Sequence, residues 1–169
     1  MVTGSHKISS YPYFGILGFV SKLPQLMNGK IDKKLTAKSL LNQKSRKANT
    51  YIDIVASDKV TQKKVVDLLS LTNIKTHIHA DASSLLKKKR FLKTDCLIIE
   101  TRLDDMLGLV LFKKLLLMCK KLPPTIFIGA RPGSINEAVE AIKLGAIDYI
   151  EKPFSSRQLI ASLNLALSP

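Results

Sequence analysis

The chain has 169 residues, one domain's worth at the usual size, and 46% of them are hydrophobic, enough for a core without a disulfide scaffold. Trp is absent and aromatics are 6%, so that core must be aliphatic. Lys and Arg outnumber Asp and Glu by 27 to 13, a net charge of +14 that favours acidic partners and says nothing about fold. The two cysteines, Cys96 and Cys119, sit in apolar runs and read as buried thiols of a reduced, cytoplasmic protein. Three scattered histidines and no CxxC exclude a zinc site, and the longest apolar runs, such as residues 14–20, are too short to span a bilayer.

Composition shifts near residue 50. Residues 1–50 hold nine Lys/Arg against the single acid Asp32, and residues 51–169 hold eighteen against twelve. Gly4-Ser5-His6 resembles the scar of an expression tag and is set aside. Short helices near 14–22 and 34–43 fit the rest of this segment, with Pro24 and Asn28-Gly29 interrupting anything longer. The segment reads as a partly ordered basic extension; docking on a partner or a membrane surface through Phe14, Ile16, Leu17, Phe19 and Val20 is the alternative.

From residue 51 the pattern is regular. A strand over 51–56 precedes a helix over 58–72, with Val65, Leu68, Leu69 and Thr72 on one face. A short strand follows at 75–79, and Asp81 caps a helix through about residue 90. Residues 95–100 form a buried strand, 106–121 a long helix and 124–129 the next strand. Ser134 caps a helix that carries Ile135, Ala138, Val139 and Ile142 on one face; a last strand covers 146–150, and Ser155 caps a helix to about residue 167. Five β–α repeats with short connections imply a three-layer, doubly wound α/β domain with a parallel five-stranded sheet. Its core includes Ile52, Ile54, Leu97, Ile98, Ile99, Ile126, Phe127 and Ile128.

Residues 96–109, Cys-Leu-Ile-Ile-Glu-Thr-Arg-Leu-Asp-Asp-Met-Leu-Gly-Leu, resemble the third strand and following loop of bacterial response-regulator receiver domains. Residues 145–154, Gly-Ala-Ile-Asp-Tyr-Ile-Glu-Lys-Pro-Phe, resemble their fifth strand and Lys-Pro turn. The resemblance covers about residues 51–168. It implies the flavodoxin-like strand order 2-1-3-4-5, a site at the carboxyl ends of the strands, and a cis peptide between Lys152 and Pro153.

In that family an acidic pair after the first strand binds Mg²⁺, an Asp ending the third strand accepts a phosphoryl group, a Thr or Ser after the fourth follows the phosphate, and a Lys after the fifth pairs with it. Here the pair falls on Ala56-Ser57, with Asp58 just beyond; a one-residue slip would place it on Ser57-Asp58. The acceptor position is Glu100, the hydroxyl position Ala130, and the lysine is kept as Lys152. Mg²⁺ wants several oxygen ligands that Ala56 and Ser57 do not supply. Glu100 reaches one methylene, ~1.5 Å, too far for near-attack geometry, and Ala130 cannot donate a hydrogen bond. Mg²⁺ binding is therefore expected to be lost or weak, with no metal, no other cofactor and no enzymatic activity. Asp104 and Asp105 read as solvated loop acids capping the next helix, with metal ligation as the alternative.

What remains is expected to be an ion pair, with Glu100 and Lys152 at adjacent strand ends and the carboxylate imitating an aspartyl phosphate; a lysine pointing at solvent is the alternative. Tyr149 matches the family's switch aromatic, with a constant orientation expected. The leading expectation is a phosphorylation-independent pseudo-receiver, a regulatory module that binds a protein partner, or a second copy as a homodimer, through residues 134–167. A phosphoacceptor with a non-standard site and a receiver-like domain of a pilus-localisation protein are alternatives. A third is a basic regulator touching nucleic acid through Lys87, Lys88, Lys89, Arg90 and Lys93 on the second helix with Lys113, Lys114, Lys120 and Lys121 on the third. No reading motif accompanies those cations, which limits them to non-specific phosphate contact.

Overall fold

The computed structural model describes residues 49–88, 90–119, 121–130 and 135–168. The helices expected at 14–22 and 34–43, together with Lys89, Lys120 and Ser134, lie outside the described residues. In chain order the elements are β1 (Thr50–Val55), α1 (Lys59–Ser70), β2 (Ile74–His79), α2 (Ala82–Lys88), a 3₁₀ turn (Arg90–Lys93), β3 (Cys96–Glu100), α3 (Gly108–Met118), β4 (Thr125–Gly129), α4 (Ile135–Lys143), β5 (Asp148–Glu151) and α5 (Ser156–Ala166). All strand pairs are parallel, as the β–α alternation requires, and their order is 2-1-3-4-5, as the resemblance implied.

Period-two alternation along the buried strands divides the core between the two faces of the sheet. On one face Ile52, Ile54, Ile98, Ile126 and Ile128 join Val65 and Leu69 of α1 and Leu159 and Leu163 of α5. On the other, Val55, Leu97, Ile99 and Phe127 join Leu85 of α2, Phe91 of the turn, and Leu111, Phe112 and Leu115 of α3. Phe112 meets Phe127 edge to face at 5.4 Å between ring centroids. All eight expected core residues are buried.

Helix ends follow their caps. Asp58 accepts from the Val60 N–H and starts α1, and Ser155 forms a capping box with Gln158 at α5. Gly145, at φ +102°, closes α4: its N–H donates to Ile142 and the Ala146 N–H to Ala141. The Lys152–Pro153 peptide is cis.

Four expectations need correction. The second helix stops at Lys88 and a 3₁₀ turn replaces its last turn. The third spans Gly108–Met118 rather than 106–121, and β5 begins at Asp148 rather than 146. The expected apolar face of α4 is not its buried face: Val139 and Ile142 are 44% and 47% exposed, whereas Ala141 is buried. Small side chains let α4 approach the sheet, and the larger ones are turned outward.

Candidate functional site

The carboxyl ends of β1, β3, β4 and β5 converge where the sequence placed the site. Glu100 ends β3 and is 5% exposed. Its Oε2 accepts the Ser57 N–H at 2.9 Å and the Asp58 N–H at 3.1 Å, both from the loop leading into α1. Its Oε1 pairs with Lys152 Nζ, which also donates to Asp58 Oδ2 at 3.0 Å. Asp58 meanwhile caps α1 through Oδ1 and accepts the Thr61 hydroxyl on Oδ2 at 2.6 Å. The result is a carboxylate–ammonium–carboxylate chain across the top of the sheet. The strand ends of Glu100 and Lys152 are not adjacent, contrary to expectation, because β4 lies between β3 and β5. Only the length of the lysine and of the glutamate closes that gap.

The hydrogen bond from Thr61, then that from Lys152, holds the Asp58 carboxyl well below the usual carboxylate range, against an opposing effect of burial. Burial pulls Lys152 down, but its bonds to Glu100 and Asp58 outweigh this and raise it above its ordinary value. Lys152 therefore stays an ammonium across the physiological range, and the alternative of a lysine merely facing solvent is set aside.

Around this chain the small residues are committed or bare. Ser57 Oγ donates to the Ala80 carbonyl and accepts the Asp104 N–H. Asp105 does not cap the following helix; both its oxygens turn back to the N–H groups of Ala82 and Ser83 at the start of α2. Ala56 is buried and Ala130 exposed. An open depression of about 380 Å³ remains beside the ion pairs, lined by Asp58, Thr61, Lys64, Ala130, Lys152 and Phe154 among others.

Tyr149 lies inward over the end of β4. A Cβ on Gly129 would fall 1.9 Å from its hydroxyl, so the ring takes space that any side chain at Gly129 would fill. Its hydroxyl donates to Glu137 Oε2 at 3.3 Å, and burial, reinforced by that carboxylate, pushes its pKa up to about 12.

The magnesium implied by the resemblance does not fit these residues. Ala56 offers no oxygen on its side chain, and the Ser57 hydroxyl already has two partners. The two carboxylates that could face an ion, Glu100 and Asp58, share the Lys152 ammonium instead, which stands where a cation would be needed. Among the described residues no cluster of three His, Cys, Asp or Glu has metal-binding geometry.

Of the expected basic patch, Lys87, Lys88, Lys93, Lys113 and Lys114 are exposed on α2, its 3₁₀ turn and α3, Lys121 follows α3, and Lys113 pairs with Glu140 of α4. The Arg90 backbone belongs to the turn. Both cysteines are free, with Cys96 buried. No helix among the described residues is long and apolar enough to cross a membrane.

Sequence reasoning missed three contributors. Thr61 braces Asp58, and the Asp-x-x-Thr spacing at a helix start was the available signal. Gln62 donates from its side chain to the Ala56 carbonyl, and Lys64 donates to the Phe154 carbonyl while lying 4.3 Å above that ring, which ties α1 to the Lys-Pro turn. Neither contact spans fewer than six residues, and no local pattern announces them.

Comparison with known proteins places the fold. A family profile described as a response regulator receiver domain matches residues 52–164. The chain is 32% identical over 118 residues to the response regulator protein TmoT of Ectopseudomonas mendocina, covering 70% of this chain and 53% of that one. It is 28% identical over 115 residues to the transcriptional regulatory protein FixJ of Rhizobium meliloti (strain 1021), covering 68% and 55%. It thus spans about half the length of these relatives. The crystal structure of a response regulator receiver protein from Pseudoalteromonas atlantica superimposes with a TM-score of 0.63 at 28% identity, over 69% of this chain and 96% of that one.

Proposed function

The chain belongs to the response regulator receiver family, and we propose that within it this domain is a pseudo-receiver, an interaction module held in one state without phosphorylation. One observation carries the reading: both oxygens of the Glu100 carboxylate are already engaged, by two backbone N–H groups and by Lys152. An oxygen that attacks phosphorus needs a free lone pair and an approach path. Freeing this one would cost the charge-assisted hydrogen bonds that organise the β1–α1 loop. The lysine that pairs with a phosphoryl group elsewhere in the family has here a permanent anion as partner. Tyr149, seated against Gly129, has no hydroxyl at Ala130 to follow, which supports a single orientation.

The output of such a module is contact. The α4–β5–α5 face carries Val139, Ile142 and Ile147 exposed, an apolar group suited to a protein partner or a second copy of the chain. Phosphorylation with a small acyl-phosphate donor and millimolar Mg²⁺, read by intact mass, tests the proposal. No phosphate is expected on the native chain or on Glu100→Asp, since Ala56, Ser57 and Ala130 still fail to hold a metal and to follow the phosphate. A ligand that binds only the folded state raises the melting temperature, so Mg²⁺ should leave it unchanged. A phosphorylated aspartyl or glutamyl residue, or a clear Mg²⁺ shift, sinks the reading in favour of a working phosphoacceptor.

A further inference from the structure

Helix α3 has more apolar surface than the core uses. Its sequence Gly-Leu-Val-Leu-Phe-Lys-Lys-Leu-Leu-Leu-Met turns Leu111, Phe112 and Leu115 inward, yet Val110, Leu117 and Met118 remain 41%, 89% and 54% exposed. At 100° per residue Val110 and Leu117 lie on the crest of the helix, directly away from the sheet, with Lys113 and Lys114 on either side of it. Leu117 is the most exposed of the three.

The charge around this crest is mainly basic, with Glu140 of α4 paired to Lys113 on one side. Helix α2, the 3₁₀ turn and α3 contain no acidic residue, while Lys87, Lys88, Lys93 and Lys114 are exposed on them. Each of these helices runs from the carboxyl end of one strand back to the amino end of the next. The carboxyl ends of α2 and α3 therefore meet at the amino edge of the sheet, away from Glu100. Leu92, in the turn beside them, is also exposed. An exposed apolar crest flanked by lysines matches the boundary between anionic head groups and acyl chains.

We propose that the α2–α3 end of the domain docks peripherally on an anionic lipid surface, with Leu117 and Met118 inserted at the acyl boundary and the surrounding lysines among the head groups. Neither part suffices alone: the inserted area is small and the lysines are few, so binding requires both and is reversible.

Because the chain has no Trp, Leu117→Trp in the full chain gives a single local reporter that the basic residues 1–48 cannot imitate. On vesicles of phosphatidylcholine with about one third phosphatidylglycerol its emission should shift to the blue. On pure phosphatidylcholine, or on the anionic vesicles in high salt, it should stay put. Lys114→Gln on that background should weaken binding about fivefold, the effect of one lysine at the surface. Leu117→Ser with Met118→Ser should weaken sedimentation with the vesicles by roughly tenfold or more; both side chains are exposed, so an unchanged melting temperature is the control for folding. Sedimentation without a Trp shift assigns membrane contact to another part of the chain and overturns the proposal. So does an emission shift that depends on protein concentration without vesicles, which makes the crest a self-association face, or one produced by a DNA duplex but not by lipid.

Discussion

Thr61 and Lys152 depress the Asp58 carboxyl, and Glu100 and Asp58 raise the Lys152 ammonium, so the two ends of the pH scale test the ion chain separately. A carboxylate whose folded pKa lies below its ordinary 3.8 stabilises fully above that value, and the contribution is lost as pH falls through the folded one. An ammonium raised above 10.5 stabilises fully below that value, and its contribution is lost as pH rises through the folded one. The melting temperature of the native chain minus that of Lys152→Met should therefore be constant from about pH 5 to about pH 9 and shrink at both extremes. A difference that varies through neutrality would assign the stabilisation to other groups. A second residue-scale test concerns space. Gly129→Ala places a methyl 1.9 Å from the Tyr149 hydroxyl, and overpacking of this kind costs about 1–3 kcal/mol. The ring should swing outward, and its phenol, now at about 12, should titrate nearer the ordinary 10.0 in a tyrosinate absorbance titration. A variant as stable as the native chain, with the titration unchanged, would show that Tyr149 does not need the glycine.

At the scale of elements, Asp58 has two duties that substitution can separate. Asn caps a helix about as well as Asp but carries no charge, while Ala does neither. Asp58→Asn should cost little, because the Asp58 carboxylate is 41% exposed and solvent screens its pairing with Lys152. Asp58→Ala should be less stable than Asp58→Asn by about 1 kcal/mol in urea denaturation at equal m-value. Equal stabilities would mean that the cap contributes nothing to α1. Caps also explain which boundaries were legible in the sequence: Asp81 and Ser155 announce α2 and α5 because a cap is a local signal between residues three apart, whereas Asp58 was read as part of α1 and not as its cap. The face of α4 was not legible, since Ala138-Ala141 and Val139-Ile142 are both apolar stripes at helical spacing. Periodicity favours the larger pair, whereas close approach to the sheet selects the smaller, and that choice is made by tertiary packing. The site divides in the same way. The positions of Glu100 and Lys152 follow from their strands, but their meeting across the end of β4 depends on side-chain reach that no local pattern encodes.

For the whole molecule, parallel pairing was legible in the β–α alternation, whereas the strand order followed from the receiver resemblance, since right-handed crossovers alone leave several orders open. The boundary at residue 50 rests on composition alone, and we propose that the domain folds without the residues before it. Every described strand pairing joins residues between Thr50 and Glu151, and both core clusters draw on residues between Ile52 and Leu167. A chain starting at Asn49 therefore retains each of these contacts and removes a segment with nine basic residues and one acid. Its thermal transition should stay cooperative, with a midpoint within about 2 °C of the full chain, less than the shift that 1 kcal/mol produces in a domain of this size. Relief of like-charge repulsion should make that midpoint less dependent on salt than the full chain's. If the shortened chain instead aggregates or loses its cooperative transition, the basic segment covers apolar surface that the sheet and its helices leave exposed, and the domain begins before residue 50.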